Sequence, residues 1–494
     1  MDITITNVAL PFIGRDLHSS VAGLQWVIDT YNIVLAGLLV LGGGLADRYG
    51  RRKVFLGGYS LFGLSCLLAA LSSSTGALIA ARAVMGVGAA AVIAPALAIV
   101  AVLYPPAERG KAIALWAVFG AAGLAIGPVV GGLLLAHFWW GSVFIVNVPI
   151  VAVGVVVGLR VIPESRKPEV GGLDVAGALL SVSGLEALVF GVIEGPDRGW
   201  SSPVVIVAVL AGVVLTGLFV LREQRAPEPL FDVGILRRPV VAAGAATLFI
   251  SYVVFTGMLF VIPQWLENVQ GESVVTVGLL LVPFAAVFGV ASMRSAAIMQ
   301  RLGARMTVSG DLAICALGIA GVAVFQDSSV TATIAATAIV GIGLSGLIAP
   351  ASTVVMNNLP EAKAGDGSSL NMVSRFVGAA VGVAAVGSIL SSVYRDHLGG
   401  TTAGLSEANA DTAHGSLQGA LRVAGGLPGN ADHQLTASAR DAFNAGGRVG
   451  YVVTAVIAAA GAAWVWRALR PAPDGSAPVT NTAGTVATPT TPGR

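Results

Sequence analysis

Charged residues and cysteines are scarce in this sequence of 494 residues. Asp, Glu, Lys and Arg make up 11% of the chain and hydrophobic residues 55%, whereas an average soluble domain has about 25% charged residues. The net charge of +2 gives no reason to expect a nucleic-acid partner. Cys66 and Cys315 fall in separate apolar runs, so neither a disulfide framework nor a metal site is indicated. The composition predicts a protein that resides in a lipid bilayer.

Two further features are missing. No loop of the form G-x-x-x-x-G-K-[ST] occurs, so the sequence does not support direct drive by ATP. The five histidines fall in predicted connecting segments, whereas a membrane-embedded enzyme would need convergent catalytic groups inside the bilayer. We therefore expect no enzymatic activity and no bound cofactor. A sensor or scaffold is also weakly supported, because it would not need charges in several separate helices.

Apolar runs are the dominant feature of the sequence. Thirteen of them, between residues 26 and 468, are each long enough to cross about 30 Å of hydrocarbon as a helix. The segment 1–10, which precedes Pro11, is too short to cross at about 1.5 Å per residue. Helix 1 therefore looks truncated, and we expect the natural start to lie upstream. Together these segments predict an all-α membrane protein with fourteen transmembrane helices.

A repeated sequence motif predicts a duplicated architecture. The segment Met299–Arg305 repeats the R-x-G-x-R spacing of Arg48, Gly50 and Arg52. Such duplication is typical of transporters built from two related bundles, with the substrate site between them. The predicted units are an N-terminal six-helix bundle (1–165), two extra transmembrane helices with linkers (166–238), a C-terminal six-helix bundle (239–470) with a long outer loop (394–447), and a disordered cytoplasmic tail (471–494).

The cations predict the orientation. Alternate short loops hold sixteen Lys and Arg residues, whereas the opposite short loops hold only Arg15 and Arg198. Because positive loops stay in the cytoplasm, we expect both termini there. The Gly- and Ala-rich composition suggests a bacterium with GC-rich DNA. We therefore predict a multi-pass protein of the bacterial cytoplasmic membrane.

The segment GGLADRYGRRK, residues 43–53, combines a lone carboxylate with four cations directly after an apolar helix. We expect Gly43 and Gly50 to permit close packing, and Asp47 to accept hydrogen bonds from backbone N–H groups at the start of the next helix. Arg48 and Arg51 would hold the loop in the cytoplasm. The pattern resembles the loop between helices 2 and 3 of the major facilitator superfamily, which implies a major facilitator fold and a gating role for this loop.

Arg82 stands inside an apolar run, in the segment RAVMGVGAA. A charge at such a position costs about 2.5–3.5 kcal/mol on insertion scales unless it faces a cavity or a partner. The alternative is that Arg82 lies near the helix end and snorkels to the interface. The segment resembles the superfamily's R-x-x-x-G-x-G motif in helix 4, whose arginine is implicated in proton coupling.

The segment GLAIGPVVGG contains two overlapping G-x-x-x-G pairs around a proline. Its glycines would form a flat packing face, and its proline would bend the helix, although both features are also common in ordinary membrane packing. The segment resembles the motif shared by antiporters of the superfamily, which favours export. The residues that carry it are Gly123, Gly127, Pro128, Gly131 and Gly132.

Two carboxylates are candidates for proton coupling together with Arg82. Asp29 is a lone carboxylate inside the second predicted helix. Asp2 begins the segment DITITNVALP, which resembles the first-helix motif of the fourteen-helix drug:proton antiporters. The resemblance makes Asp2 a second titrating candidate.

A substrate cavity could be lined by aromatic and charged side chains from several predicted helices. For the aromatic residues the alternative is simple packing, and for Glu186 it is a structural or assembly role. Glu267 stands where the family commonly has glutamine, and Arg294 and Arg375 are predicted to be buried cations. The candidates are Trp26, Tyr31, Trp116, Glu186, Phe255, Glu267, Arg294 and Arg375.

The resemblance covers the chain from Asp2 to the last predicted helix. It implies proton-coupled efflux of drugs, antibiotics or other lipophilic or cationic molecules by alternating access, driven by the proton gradient. The expected partners are a small-molecule substrate, protons and the lipid bilayer, with no nucleic acid and no obligate protein partner. The alternative within transport is a dedicated exporter of one endogenous metabolite, such as a self-made antibiotic.

Overall fold

The computed structural model describes residues 2–105, 108, 123, 126–166, 174–226, 233–360, 364–402, 404–428 and 430–470. All regular secondary structure in these ranges is helical, and eleven of the described helices are long and apolar enough to cross a membrane. The all-α membrane class is thus confirmed. The total of fourteen spans stays a prediction, because most of the fifth predicted span lies outside the described ranges.

The described ranges contain seventeen α-helical segments. In chain order they are α1 (Asp2–Asp16), α2 (Val21–Tyr49), α3 (Arg51–Ala70), α4 (Thr75–Leu103), α5 (Ile126–His137), α6 (Ser142–Val161), α7 (Val175–Arg198), α8 (Pro203–Arg225), α9 (Pro239–Gln264), α10 (Val274–Leu280), α11 (Val282–Phe325), α12 (Val330–Ser345), α13 (Ile348–Asn357), α14 (Ala364–Leu398), α15 (Glu407–Gly415), α16 (Leu417–Ala424) and α17 (Asn430–Ala468). A π-helical turn, Trp265–Val269, extends α9.

Two of the four described glycines with positive φ lie in the repeated R-x-G-x-R segments. Gly50, between α2 and α3, has a φ of 111°, and Gly303, inside α11, has a φ of 79°. Gly303 bends α11 into two helical arms, whose φ and ψ values are helical on either side. These two glycines occupy the same place in the two R-x-G-x-R segments, so the repeated motif corresponds to a glycine with positive φ in each half of the sequence.

The helices pack in two groups that meet along several seams. In the first group α2 packs against α3 and α4, and in the second α9 packs against α14 and α17. Across the junction α2 packs against α14, and α1 packs against α9 and α10. The α7–α8 hairpin contacts both groups, because α7 packs on α2 and on α14. The predicted boundaries of the bundles stay predictions.

The segment 394–447 is more helical than the sequence suggests. Helix α14 continues to Leu398, α17 already begins at Asn430, and α15 and α16 lie between them. Ser406 and Ser416 cap these two short helices by accepting hydrogen bonds from backbone N–H groups. The Tyr394 hydroxyl also donates a hydrogen bond to the carbonyl oxygen of Ala413, at 3.0 Å. The long loop predicted for 394–447 therefore contains short helices in its described part, held by local caps and packing.

We expect Gly318→Ala to destabilise the contact between α11 and α12. A Cβ atom at Gly318 would lie 2.7 Å from the backbone nitrogen of Val340, and such overpacking costs about 1–3 kcal/mol. The gain in helix propensity of up to about 1 kcal/mol does not offset this cost. The midpoint of thermal unfolding in detergent should therefore fall.

The matched control is Gly310→Ala in the same helix, where a Cβ would meet no atom within 4 Å. This change should leave the midpoint unchanged or raise it. Equal effects of the two substitutions would contradict the close packing of α11 on α12.

Candidate functional site

Asp47 contacts a side chain at the turn between α2 and α3. Its carboxylate lies 2.7 Å from Nη2 of Arg51, and the Nε atom of Arg51 donates to it at 2.8 Å. The expectation that Asp47 caps the next helix through backbone N–H groups is wrong, since α3 has no side-chain cap from this residue. The reason is spacing: across the turn at Gly50, Arg51 is four residues from Asp47 and reaches its carboxylate first.

Glu164 accepts the backbone hydrogen bond at the start of α3 that was expected of Asp47. Its Oε1 atom accepts a hydrogen bond from the backbone N–H of Arg52 at 3.2 Å. The missing side chain at Gly50 makes room, because a Cβ there would lie 2.5 Å from the same oxygen. No local sequence pattern indicates this contact, since Glu164 is more than a hundred residues away from Arg52.

The other two predicted residues of this loop contribute less to packing. A Cβ at Gly43 would lie 3.9 Å from that of Ala94, an ordinary contact. The close approach is instead at Gly42, where a Cβ would lie 2.8 Å from the carbonyl oxygen of Ala90. Arg48 is exposed, as expected of a residue at the positively charged end. We call the end of the molecule that carries Arg48 the basic end.

Arg82 of α4 is fully buried and joins three helices. Its Nη1 atom lies 2.6 Å from Oδ2 of Asp2 in α1, and its Nε atom donates to the carbonyl oxygen of Val27 in α2 at 2.8 Å. The guanidinium carbon stands 4.3 Å from the ring centroid of Tyr31, also in α2. The alternative that Arg82 snorkels to the interface is wrong, because no part of the residue is exposed.

The Asp2–Arg82 pair has unused hydrogen-bonding capacity. Within the described ranges, Oδ1 of Asp2 and Nη2 of Arg82 are buried without a hydrogen-bond partner. A buried polar atom without a partner costs free energy, whereas a proton, a water molecule or a substrate group would satisfy it. A proton, water molecule or substrate group can therefore bind to these free atoms while the contact between Asp2 and Arg82 is still present.

Asp29 is also fully buried, two residues beyond the Val27 carbonyl. Neither of its carboxylate oxygens has a hydrogen-bond partner in the described part of the chain. An isolated carboxylate is costly to hold away from water, so such a group marks a functional site more often than a structural one. Asp2 and Arg82 thus form a contacting pair, and Asp29 is a separate buried carboxylate in α2, the helix whose Val27 carbonyl Arg82 contacts.

The glycines of α5 permit close contact at the junction between the helix groups. A Cβ at Gly131 would lie 3.0 Å from Ile5 of α1, and one at Gly132 would lie 2.9 Å from the carbonyl oxygen of Val274. Gly127 and Pro128 are buried, and Gly123 is half-buried. The predicted flat packing face exists at Gly131 and Gly132; its role in gating stays a prediction.

An apolar cavity opens where α1, α5, α9, α11, α12 and α13 meet. Its empty space totals about 650 Å³ including its mouth, although little of this is wide enough for a water-sized sphere. A bulky ligand would therefore have to widen it. The residues that line it are Thr4, Pro128, Ser251, Tyr252, Phe255, Met258, Leu259, Leu281, Phe284, Ala285, Phe288, Leu344 and Ile348.

Only part of the predicted cavity set lies at this cavity. Phe255 lines it, and Arg375 contacts the lining residue Tyr252. Tyr31 belongs instead to the Arg82 cluster. Trp116 lies outside the described residues.

The remaining candidates lie elsewhere. Trp26 donates from Nε1 to Glu194 of α7 at 3.3 Å, and Glu267 pairs with Arg15 at 3.6 Å at the end opposite the basic end. Glu186 is exposed near the middle of α7. The expectation that Arg294 is a buried cation is wrong, because Arg294 is exposed. Its neighbour Met293 is 84% exposed, on a face that no described helix covers.

Sequence reasoning missed most of the aromatic wall of the cavity. Tyr252 lies three residues before Phe255, and Phe284 lies four residues before Phe288, so each pair shares a helical face. This spacing was the available signal. It does not distinguish a cavity wall from an ordinary packed helix face.

Comparison with known proteins defines the family. The family model of the Major Facilitator Superfamily matches residues 1–383. The chain belongs to the major facilitator superfamily. It is similar to the multidrug efflux pump LfrA of Mycolicibacterium smegmatis, with 34% identity over 474 residues that cover 95% of this chain and 93% of that protein. It is also similar to the tetracenomycin C resistance and export protein of Streptomyces glaucescens, with 30% identity over 489 residues, or 97% and 90% of the two chains.

Solved structures agree on the fold. The crystal structure of a bacterial homologue of the human lysosomal transporter Spinster, inward-facing and unoccupied, aligns with a TM-score of 0.58 at 18% identity. The alignment covers 94% of this chain and 96% of that one. The chain is therefore a multi-pass membrane protein with the major facilitator fold.

We expect Arg82→Gln and Asp2→Asn each to destabilise the protein, because either change leaves a buried charge without its partner. Removal of one partner from a buried pair costs about 3–5 kcal/mol. The double variant should be destabilised by less than the sum of the single effects. Denaturant titration in detergent measures the free energy of unfolding of the two single variants and the double variant.

Arg15→Gln serves as the control, since Arg15 is exposed and its pair with Glu267 spans 3.6 Å. Its effect should stay within about 1 kcal/mol. Strictly additive effects of the Asp2 and Arg82 changes would show that the two side chains do not interact.

Proposed function

We propose that this protein exports drug-like small molecules across the bacterial cytoplasmic membrane in exchange for protons. The observation that carries the proposal is the buried Asp2–Arg82 pair with its 2.6 Å contact, and a second buried carboxylate, Asp29, stands in the adjoining helix α2. The efflux pumps among its relatives support the export of drugs or antibiotics. Ionisable groups buried in membrane spans are typical of proton relays.

The contacts of Arg82 suggest how a proton acts on the fold. A proton on Asp2 neutralises the carboxylate that holds Nη1 of Arg82. Arg82 also donates a hydrogen bond to the Val27 carbonyl oxygen in α2. Two residues earlier in α2, Gln25 donates to the carbonyl oxygens of Val383 and Ala384 in α14, at 3.2 and 2.9 Å. The protonation state of Asp2 is thereby linked to the seam between α2 and α14.

The loop charges support an orientation. With the basic end in the cytoplasm, both termini are cytoplasmic, and Gln25 lies near the outer end of the seam. The contacts of Gln25 then close the outer side, which corresponds to an inward-facing state. A proton that enters across 100 mV supplies about 2.3 kcal/mol for the export step.

A dedicated exporter of one endogenous metabolite is the second candidate. It is favoured by the relative from Streptomyces glaucescens, which is named for resistance to, and export of, a single compound. The two candidates share the coupling mechanism and differ in the breadth of their substrates. A substrate panel distinguishes them: several unrelated responders indicate drug efflux, and one responder indicates a dedicated exporter.

Inside-out vesicles with an acidified lumen test the coupling. We expect addition of a substrate from a panel of lipophilic cations, phenolic aromatics and antibiotics to collapse the pH gradient, because protons leave the lumen as the substrate enters it. Asp29→Asn and Arg82→Ala should abolish the collapse. Fluorescence of a pH-sensitive dye reports it.

The control variant is Asp396→Asn, an exposed carboxylate at the end of α14 that should not affect coupling. Protein amount and insertion are checked for each variant by binding to an affinity resin. Substrate accumulation with no loss of the pH gradient would contradict antiport. An identical proton response in all three variants would contradict the roles of Asp29 and Arg82 in coupling.

A further inference from the structure

Arg375 of α14 is a half-buried cation that the proposed mechanism does not use. It lies inside the membrane-span candidate Gly367–Leu398. Among the residues that the structure describes, no Asp or Glu lies within 4.0 Å of it. Charges in membrane spans usually face a partner or a functional cavity. Within the described part of the chain the positive charge of Arg375 has no acidic partner, so it can attract a ligand.

The guanidinium of Arg375 is fixed by Tyr252 of α9. Its Nε atom donates to the Tyr252 hydroxyl at 2.8 Å, and its Nη2 atom donates to the same hydroxyl. The guanidinium carbon lies 4.9 Å from the centre of the Tyr252 ring. Because the hydroxyl oxygen accepts from Arg375, its own hydrogen is free to be donated to a further oxygen. Tyr252 is one of the residues that line the apolar cavity.

Three phenylalanine rings lie nearly parallel to one another and form an apolar wall in the same cavity. Phe255 and Phe284 have centroids 6.0 Å apart and ring planes within 16° of each other. Phe284 and Phe288 follow at 6.2 Å and 15°. Nearly parallel rings present an extended apolar surface on which a planar aromatic ligand can stack.

The charge around this wall has one sign. None of the residues that line the cavity is charged. Asp2 lies two residues before the lining residue Thr4, but its charge is opposed by Arg82 at 2.6 Å. Among the described residues around the cavity, the charge without an ionic partner is that of Arg375. In a medium of low dielectric constant it attracts an anionic oxygen and repels a cation.

We infer that this cavity selects planar aromatic substrates that carry an anionic or phenolic oxygen, and that Arg375 and Tyr252 determine this specificity. The oxygen accepts the Tyr252 hydroxyl hydrogen beside the Arg375 charge, and the ring system stacks on the wall of Phe255, Phe284 and Phe288. The inference rests on the proposed export function and names its substrate class. It departs from the expectation of cationic substrates that the sequence suggested.

Equilibrium binding to the purified protein in detergent tests the inference with two probes that share one ring system. The anion is anthracene-9-carboxylate, and the matched cation is anthracene with a 9-trimethylammoniomethyl group. Their affinities are read from the change in anthracene fluorescence. We expect the anion to bind at least about tenfold more tightly, the ratio that one charge-assisted hydrogen bond provides.

Substitutions separate the charge from the aromatic wall. Arg375→Gln should reduce the anion-to-cation ratio by about tenfold, Arg375→Lys should retain part of it, and Tyr252→Phe should weaken the anion selectively. Phe284→Leu should weaken both probes and leave the ratio unchanged. Because both probes are measured on the same sample, the ratio does not depend on the folded fraction.

Two results would overturn the inference: a cation that binds the wild-type protein as tightly as the anion, or an Arg375→Gln variant that keeps the wild-type ratio. Binding in detergent requires no proton gradient. A failure of the proton-coupling experiment in vesicles would therefore leave this result intact, and the two failures can be distinguished.

Discussion

The buried guanidinium of Arg82 is the constraint on which the rest of the structure depends. A lone cation in a membrane span is costly, and here the cost is offset by one carboxylate, one backbone carbonyl and one aromatic ring. These groups come from α1 and α2, so the cation in α4 sets the relative positions of three helices. Two of them, α1 and α2, contact the second helix group. A change of charge at Asp2 therefore acts on the junction itself.

The α7–α8 hairpin adds a second connection between the helix groups, away from the basic end. Trp26 of α2 donates to Glu194 of α7 at 3.3 Å, and Arg395 of α14 pairs with Asp197 of α7 at 2.6 Å. Helix α7 is thus attached to both sides of the α2–α14 seam. If this seam opens, the hairpin must lose its contact with α2 or its contact with α14, and it then moves with the other helix. The hairpin therefore holds α2 and α14 together at the end opposite the basic end.

The sequence was informative where a residue type was out of place. Arg82 and Asp29 could be found because charges are rare in apolar runs, and Gly50 and Gly303 could be found because their motif repeats. Partners across the fold could not be found in this way. Asp2 and Arg82 are 80 residues apart, and Glu164 and Arg52 are 112 apart, so no local pattern links them. The cavity wall was also hidden, since Phe284 and Phe288 have the spacing of any packed helix face.

One distance measurement tests the central claim, that the protonation state of Asp2 controls the seam between the helix groups. Spin labels at Asp16→Cys and Asp396→Cys would report the distance between α1 and α14 at the end opposite the basic end; both sites are exposed, and the native Cys66 and Cys315 are buried. The distance distribution should change with pH in the otherwise wild-type protein and should not change with pH when Asp2→Asn is added. The same pH response in both proteins would contradict the account, because the seam would then respond to a proton bound elsewhere.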